Sequence, residues 1–185
     1  MRFLFLIIIS FLLLSCIESG PDTIVWDGNK PLTWDDFQGK PAHRFAASST
    51  NYDIVKSVNK KDKSTVTVEI KAVFYTKKSW KKGSWVNEQV LAHEQKHFDI
   101  VELYARKLRK QITSFGYQSY QDVADKIDSL YTENDKAMDV YQDKYDDETD
   151  GSMNGDMQRQ WSSNIINEIK LLDEYKNVSF ELTLK

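Results

Sequence analysis

The feature that most constrains the fold of this chain is a change of hydrophobic period near its middle. Val66, Val68, Ile70, Ala72 and Phe74 alternate with Thr65, Thr67, Glu69, Lys71 and Val73. A period of two places the first set on one face of a half-buried strand. After Gly83 the spacing widens, and Val86, Val90, His93, His97, Ile100, Val101, Tyr104 and Leu108 share one face at helical spacing. Ser84 is the expected N-cap of that helix and Gly116 its expected stop. A second helix is expected from Tyr120 to Tyr145, with Val123, Ile127, Leu130, Asn134, Met138 and Tyr141 along one stripe; the acidic, Gly-containing stretch 146–156 ends it. A third, from Met157 to Lys176, presents Trp161, Ile165, Ile169 and Leu172, and Val178, Phe180, Leu182 and Leu184 then alternate as a closing strand. Upstream, Phe45 to Val58 reads as a strand, and Trp26-Asp27 and Trp34-Asp35 sit between Gly and Pro in loops around short elements. Strands first and helices afterwards indicate an α+β domain, a small N-terminal antiparallel sheet followed by about three helices.

The first residues read as an address instead of as part of that domain. Arg2 precedes an apolar run from Phe3 to Leu14, interrupted at Ser10, and Leu13-Leu14-Ser15-Cys16 closes it. That run is shorter than the roughly 20 residues a spanning helix needs. Leu-Leu-Ser-Cys resembles the bacterial lipobox, which implies acylation of Cys16 and anchoring by several acyl chains on one residue. The expected organisation is a lipoprotein signal over 1–16, a polar tether over 17–23 and one domain over 24–185. Localisation would be the bacterial cell envelope, exported and held on the membrane through Cys16. Cys16 is the single cysteine, so a lipidated chain has no thiol left for disulfides or zinc-thiolate sites. With 25 basic and 28 acidic residues and a net charge of −3, the chain offers no electrostatic footprint for nucleic acid.

Within the first helical pattern lies His93-Glu94-Gln95-Lys96-His97. A helix turns about 100° per residue, so His93 and His97 lie about 40° apart and one turn along the axis. Both imidazoles can therefore reach one tetrahedral zinc ion. Glu94, one residue round, falls beside such an ion and is the expected acid-base catalyst acting on its water. A site of this kind needs a third ligand. Glu102 lies about 180° from His93 and Asp99 is displaced by about 120°, so neither fits. Glu102 is expected to pair with Arg106 on the outer face of the helix. His43 sits in a Pro-Ala-His-Arg loop and reads as a surface residue. Tyr104, seven residues after His97 on the same face, is a candidate donor to a tetrahedral oxyanion. The strand Thr65 to Val73 is a candidate edge for binding an extended substrate.

These residues carry a family resemblance. Leu91 to Ile100, followed by Glu102 to Arg106, resembles the bacterial secreted proteins called domain of unknown function 922, which are described as predicted zinc-dependent proteases of the zincin type. Pro31 to Pro41 is similar to the N-terminal signature of that family. Tyr145-Asp146-Asp147-Glu148-Thr149 with Gln160-Trp161 is similar to its C-terminal one. The resemblance implies a zincin-like fold and one zinc ion per chain. The family pattern carries a histidine where this chain has Gly151. A carboxylate would replace it, with Asp146 first because the family motif contains it, and Asp150 or Glu148 as alternatives.

The expected activity is hydrolysis of a peptide or protein substrate by an envelope-anchored zinc metallopeptidase. The alternative is an inactive zincin-like binding or structural lipoprotein that has lost its third metal ligand.

Overall fold

The computed structural model describes residues 22–42 and 45–185. The expected signal, Cys16, most of the tether, and His43 lie outside the described residues. The tether expected through Thr23 overlaps the first strand, β1 (Thr23–Val25). A single 3-10 turn, Trp34–Asp36, follows. Then come β2 (Ser48–Ser49), β3 (Tyr52–Lys60), β4 (Thr65–Tyr75) and β5 (Trp80–Lys81), the helices α1 (Glu88–Thr113), α2 (Tyr120–Thr149) and α3 (Gly155–Leu171), a 3-10 turn at Asp173–Tyr175, and β6 (Ser179–Thr183). This is an α+β architecture, with antiparallel sheets in the N-terminal half followed by three helices.

β4 is the spine of the main sheet. β3 pairs with it along one edge, from Tyr52 opposite Phe74 to Lys60 opposite Val66. β1 and β6 share its other edge end to end, β1 opposite residues 73–75 and β6 opposite residues 65–69. Both edges are therefore occupied, which corrects the expectation that Thr65 to Val73 is an edge open to substrate. The alternation itself has a clear consequence. Val66, Val68, Ile70, Ala72 and Phe74 are almost completely buried, while Thr65, Thr67, Glu69 and Lys71 remain half-buried on the other face. The Phe45 to Val58 stretch divides between two sheets, because β2 turns away to pair with β5 through Ser48–Lys81 and Ser49–Trp80.

α1 packs on the inner face of β4 and is covered on its other sides by α2 and α3. Ile100, Leu103, Leu108 and Ile112 are fully inaccessible, and each such side chain stabilises the fold by roughly 1.5–3 kcal/mol. Enclosure from all sides leaves no outer face between His97 and Arg106, where every residue is buried. The Glu102–Arg106 pair forms as expected, Arg106 Nε donating to Glu102 Oε1 at 2.8 Å, but in the interior instead of on the surface.

The helix ends differ from expectation for local reasons. Residues 82–85 close a turn through Trp85 N–H to the Lys82 carbonyl at 2.9 Å. The helix consequently starts later, with Asn87 accepting from Val90 N at 3.0 Å as N-cap in place of Ser84. α2 runs past Tyr145 to Thr149, because Tyr145 and Thr149 point one turn apart into the core and are fully buried. It stops where Asp150, Gly151 and Ser152 all take positive φ (49°, 53° and 81°), a left-handed turn that costs non-glycine residues energy. α3 starts at Gly155, capped by Asn154 through Met157 N at 3.2 Å, and ends at Leu171, short of Lys176.

Candidate metal centre

α1 and α2 each offer polar side chains four residues apart, and the two pairs face each other. His93 and His97 come from α1, Gln142 and Asp146 from α2. The Nε2 atoms of the histidines lie 3.1 Å apart, and Asp146 Oδ1 lies 2.9 Å from each of them. A tetrahedral ion with bonds of about 2.0–2.1 Å has ligand–ligand edges of about 3.3 Å. The three atoms therefore outline one face of such a tetrahedron, slightly contracted, with the cleft side free for a fourth ligand.

The imidazole tautomers follow from what lies behind the rings. His97 Nδ1 is 2.7 Å from Gln142 Oε1, and the orientation of that amide is fixed because Gln142 Nε2 donates to the His97 carbonyl at 3.0 Å. Nδ1 of His97 must therefore carry the hydrogen. Behind His93, Nδ1 meets Gln158 Oε1 at 3.1 Å and Thr149 Oγ1 at 3.5 Å. The Thr149 hydroxyl already donates to the Tyr145 carbonyl at 2.6 Å, so it too presents a lone pair. With Gln158 oriented to accept from His93 Nδ1, both neutral rings turn unprotonated Nε2 atoms towards the Asp146 carboxylate. Three acceptors converge with no hydrogen between them, which is repulsive unless a cation occupies the middle. Tyr145 stacks on His93 at 4.7 Å and 18° and meets His97 edge-on at 5.1 Å, locking both ring planes.

The electrostatics point the same way. Burial alone would raise the Asp146 carboxyl, but its hydrogen bonds with His93 and His97 hold it well below the usual carboxylate range. Burial opposes charging of His97, yet Asp146, Glu94 and Gln142 together raise it above an ordinary imidazole. The triangle attracts positive charge, and in the metal-free chain a proton is the charge available. On geometry and donor chemistry the residues fit a divalent ion bound by His93, His97 and Asp146.

Glu94 is buried beside this group, its Oε1 accepting from Ser48 Oγ and its Oε2 from Thr50 Oγ1, each at 2.6 Å. A carboxylate has about four lone-pair sites, so two remain after both hydroxyls are bound. The cleft that exposes Glu94 and the triangle has a volume of about 1030 Å³ and is walled by the β2 segment, the start of α1 and the end of α2. No lysine or arginine lines it among the described residues.

The other expected site residues lie elsewhere. Tyr104 is on the angular face expected of it but about 10 Å further along the axis, since seven residues rise about 1.5 Å each. It packs edge-on against Tyr141 at 5.7 Å and lines a separate hollow with Lys107 and Asn134, which corrects its assignment to the cleft. Glu148 accepts from Trp161 Nε1 at 2.8 Å and faces α3. Asp150 ends α2 and lines the outer cleft, with Gly151 next to it. Asp99 accepts from Trp26 Nε1 at 2.9 Å and Gln95 Nε2 at 2.8 Å, away from the histidines. Sequence reasoning missed Ser48, Thr50, Gln142, Thr149 and Gln158. Of these, Gln142 lies four residues before Asp146, and Ser48 and Thr50 lie two residues apart; neither spacing alone points to the histidines.

Comparison with curated proteins and with solved structures gives no match. A family model described as a bacterial protein of unknown function (DUF922) matches residues 36–155. That span is more than half of the chain and contains His93, Glu94, His97 and Asp146, together with Ser48, Thr50 and Gln142. The chain belongs to the DUF922 family.

Proposed function

We propose that this chain is a zinc-dependent peptidase of the bacterial envelope, anchored by a lipid on Cys16. The observation that carries the reading is the convergence of two imidazole nitrogens and one carboxylate oxygen within 3.1 Å of one another, with Glu94 buried next to them in an open cleft. Zinc bound there would act as a Lewis acid and lower the pKa of a water in the open position towards 7. Glu94 takes the proton from the attacking water, and its orientation is fixed by Ser48 and Thr50. The proton then passes to the amine nitrogen as the C–N bond breaks, and transfer of the second water proton to the amine leaves a carboxylate and an ammonium group. Two imidazoles and a carboxylate also suit iron(II). A buried carboxylate beside the open position is what hydrolysis requires, and it favours zinc.

A second reading is supported by Gly151 and by the two short hydroxyl contacts on Glu94: a metal-binding module without turnover. Incubating zinc-loaded protein with a mixed peptide library separates the two. The peptidase reading expects cleavage by the wild type, and expects Glu94→Gln to keep its zinc and lose all cleavage. A wild type that binds zinc and leaves every peptide intact would leave only the module.

A further inference from the structure

Hydrolysis of a peptide places a negative charge on the former carbonyl oxygen, and the cleft must meet that charge. The electron pair of the C=O π bond moves onto oxygen as water adds to carbon, and it returns as the C–N bond breaks. No described lysine or arginine lines the cleft, so among the described residues the help comes from a neutral donor. Tyr104, the candidate on helical spacing, is excluded by its place in a separate hollow. The Gln142 amide already donates to the His97 carbonyl, and the hydroxyls of Ser48 and Thr50 donate to Glu94.

Ser48, Thr50 and Tyr52 occur at every second position, and all three line the cleft. The first two hold the two oxygens of Glu94. The third begins β3, half-buried and facing the acidic side chains of α2, and its hydroxyl forms no hydrogen bond with any described residue. Burial first, and then the charges of Asp139, Asp146, Asp143 and Asp135, push the phenol up from its ordinary value, so it keeps its proton across the neutral range.

Resting on the peptidase reading, we propose that Tyr52 is a further catalytic residue, its phenol donating a hydrogen bond to the oxyanion formed on the scissile carbonyl. Such a donor acts mainly in the transition state, so its removal lowers turnover more than ground-state binding. Because the hydroxyl has no hydrogen-bond partner among the described residues, its removal is expected to leave the fold unchanged.

The test compares the zinc-loaded full chain with Tyr52→Phe in three measurements: cleavage of the peptide library, calorimetric binding of a peptide phosphinate that mimics the tetrahedral centre, and thermal unfolding. The expected result is a loss of kcat on the order of 100-fold with KM within about twofold. The phosphinate Kd should rise by a similar factor, with zinc content and Tm unchanged. Wild-type cleavage matched by Tyr52→Phe would overturn the assignment and leave the peptidase reading standing, as would a loss confined to KM or a drop in Tm that accounts for the lost activity. A wild type that binds zinc but cleaves nothing overturns both.

Discussion

Helix α1 buries two polar clusters in neighbouring turns, and they are built on opposite plans. In the second, Glu102 receives both guanidiniums: Arg106 Nε at 2.8 Å, and Arg109 through Nη2 at 2.9 Å and Nη1 at 3.2 Å. Arg106 also donates to the Ile169 carbonyl at 3.0 Å and to the Asp173 carboxylate at 3.5 Å, and Arg109 to the carbonyls of Ile70 at 3.2 Å and of Tyr175. Donors and acceptors match, and the cluster ties α1 to β4 and to the chain after α3. The first cluster has the reverse composition, with His93, His97 and Asp146 supplying acceptors towards a common point. Buried charge that serves the fold is neutralised from within the chain, whereas this group could hold a cation from outside.

Removing one partner from each cluster should separate the two plans. The largest effect is expected from Glu102→Ala, which removes the buried carboxylate shared by two guanidiniums and leaves Arg109 with carbonyl partners alone; the loss of stability should be about 3–5 kcal/mol, measured by denaturant unfolding in the absence of metal. His93→Ala and His97→Ala should unfold close to the wild type under that condition, yet lose the stabilisation that zinc gives. For the wild type that gain is about 2.7 kcal/mol at a free ion concentration 100 times Kd, read as a rise in Tm. If either histidine variant keeps the whole zinc-dependent rise, the cluster does not hold the ion. Gln142→Leu removes the acceptor behind His97 and should weaken zinc binding by about 10- to 100-fold, the usual effect of losing a group that orients a ligand. Competition with a chelator measures it. Smallest is Ser48→Ala, which frees one oxygen of Glu94. It should lower stability by about 1 kcal/mol and leave zinc affinity unchanged, and a large change in affinity would mean that the hydroxyl acts on the ion directly.

The same contrast explains how far the sequence could be read. The period of two in Val66 to Phe74 and the helical spacing from Val90 to Leu108 each follow from a single element facing a single core, and both appear in the structure. His93 and His97 were legible because their relation is internal to one helix. Asp146 carried a weaker signal, since its meeting with the histidines depends on how α2 packs against α1. Ser48 and Thr50 come from one other segment and Gln158 from another, and nothing in the sequence reports that these segments converge on the histidines. Glu102 and Arg106 were paired from spacing, but their burial depends on α2, α3 and the sheet enclosing the helix together. Tyr104 shows the limit of angular reasoning, because the right face of a helix two turns away is a different place.

The central claim is that an external cation completes the His93–His97–Asp146 triangle, and X-ray absorption at the zinc edge of the loaded full chain tests it most directly. The account expects one zinc per chain with two imidazole nitrogens at about 2.0–2.1 Å and one or two further oxygen neighbours at similar distance, and loss of the imidazole signal in a His93→Ala, His97→Ala double variant. A shell of oxygens without imidazole scattering, or an unchanged spectrum in the double variant, would contradict it.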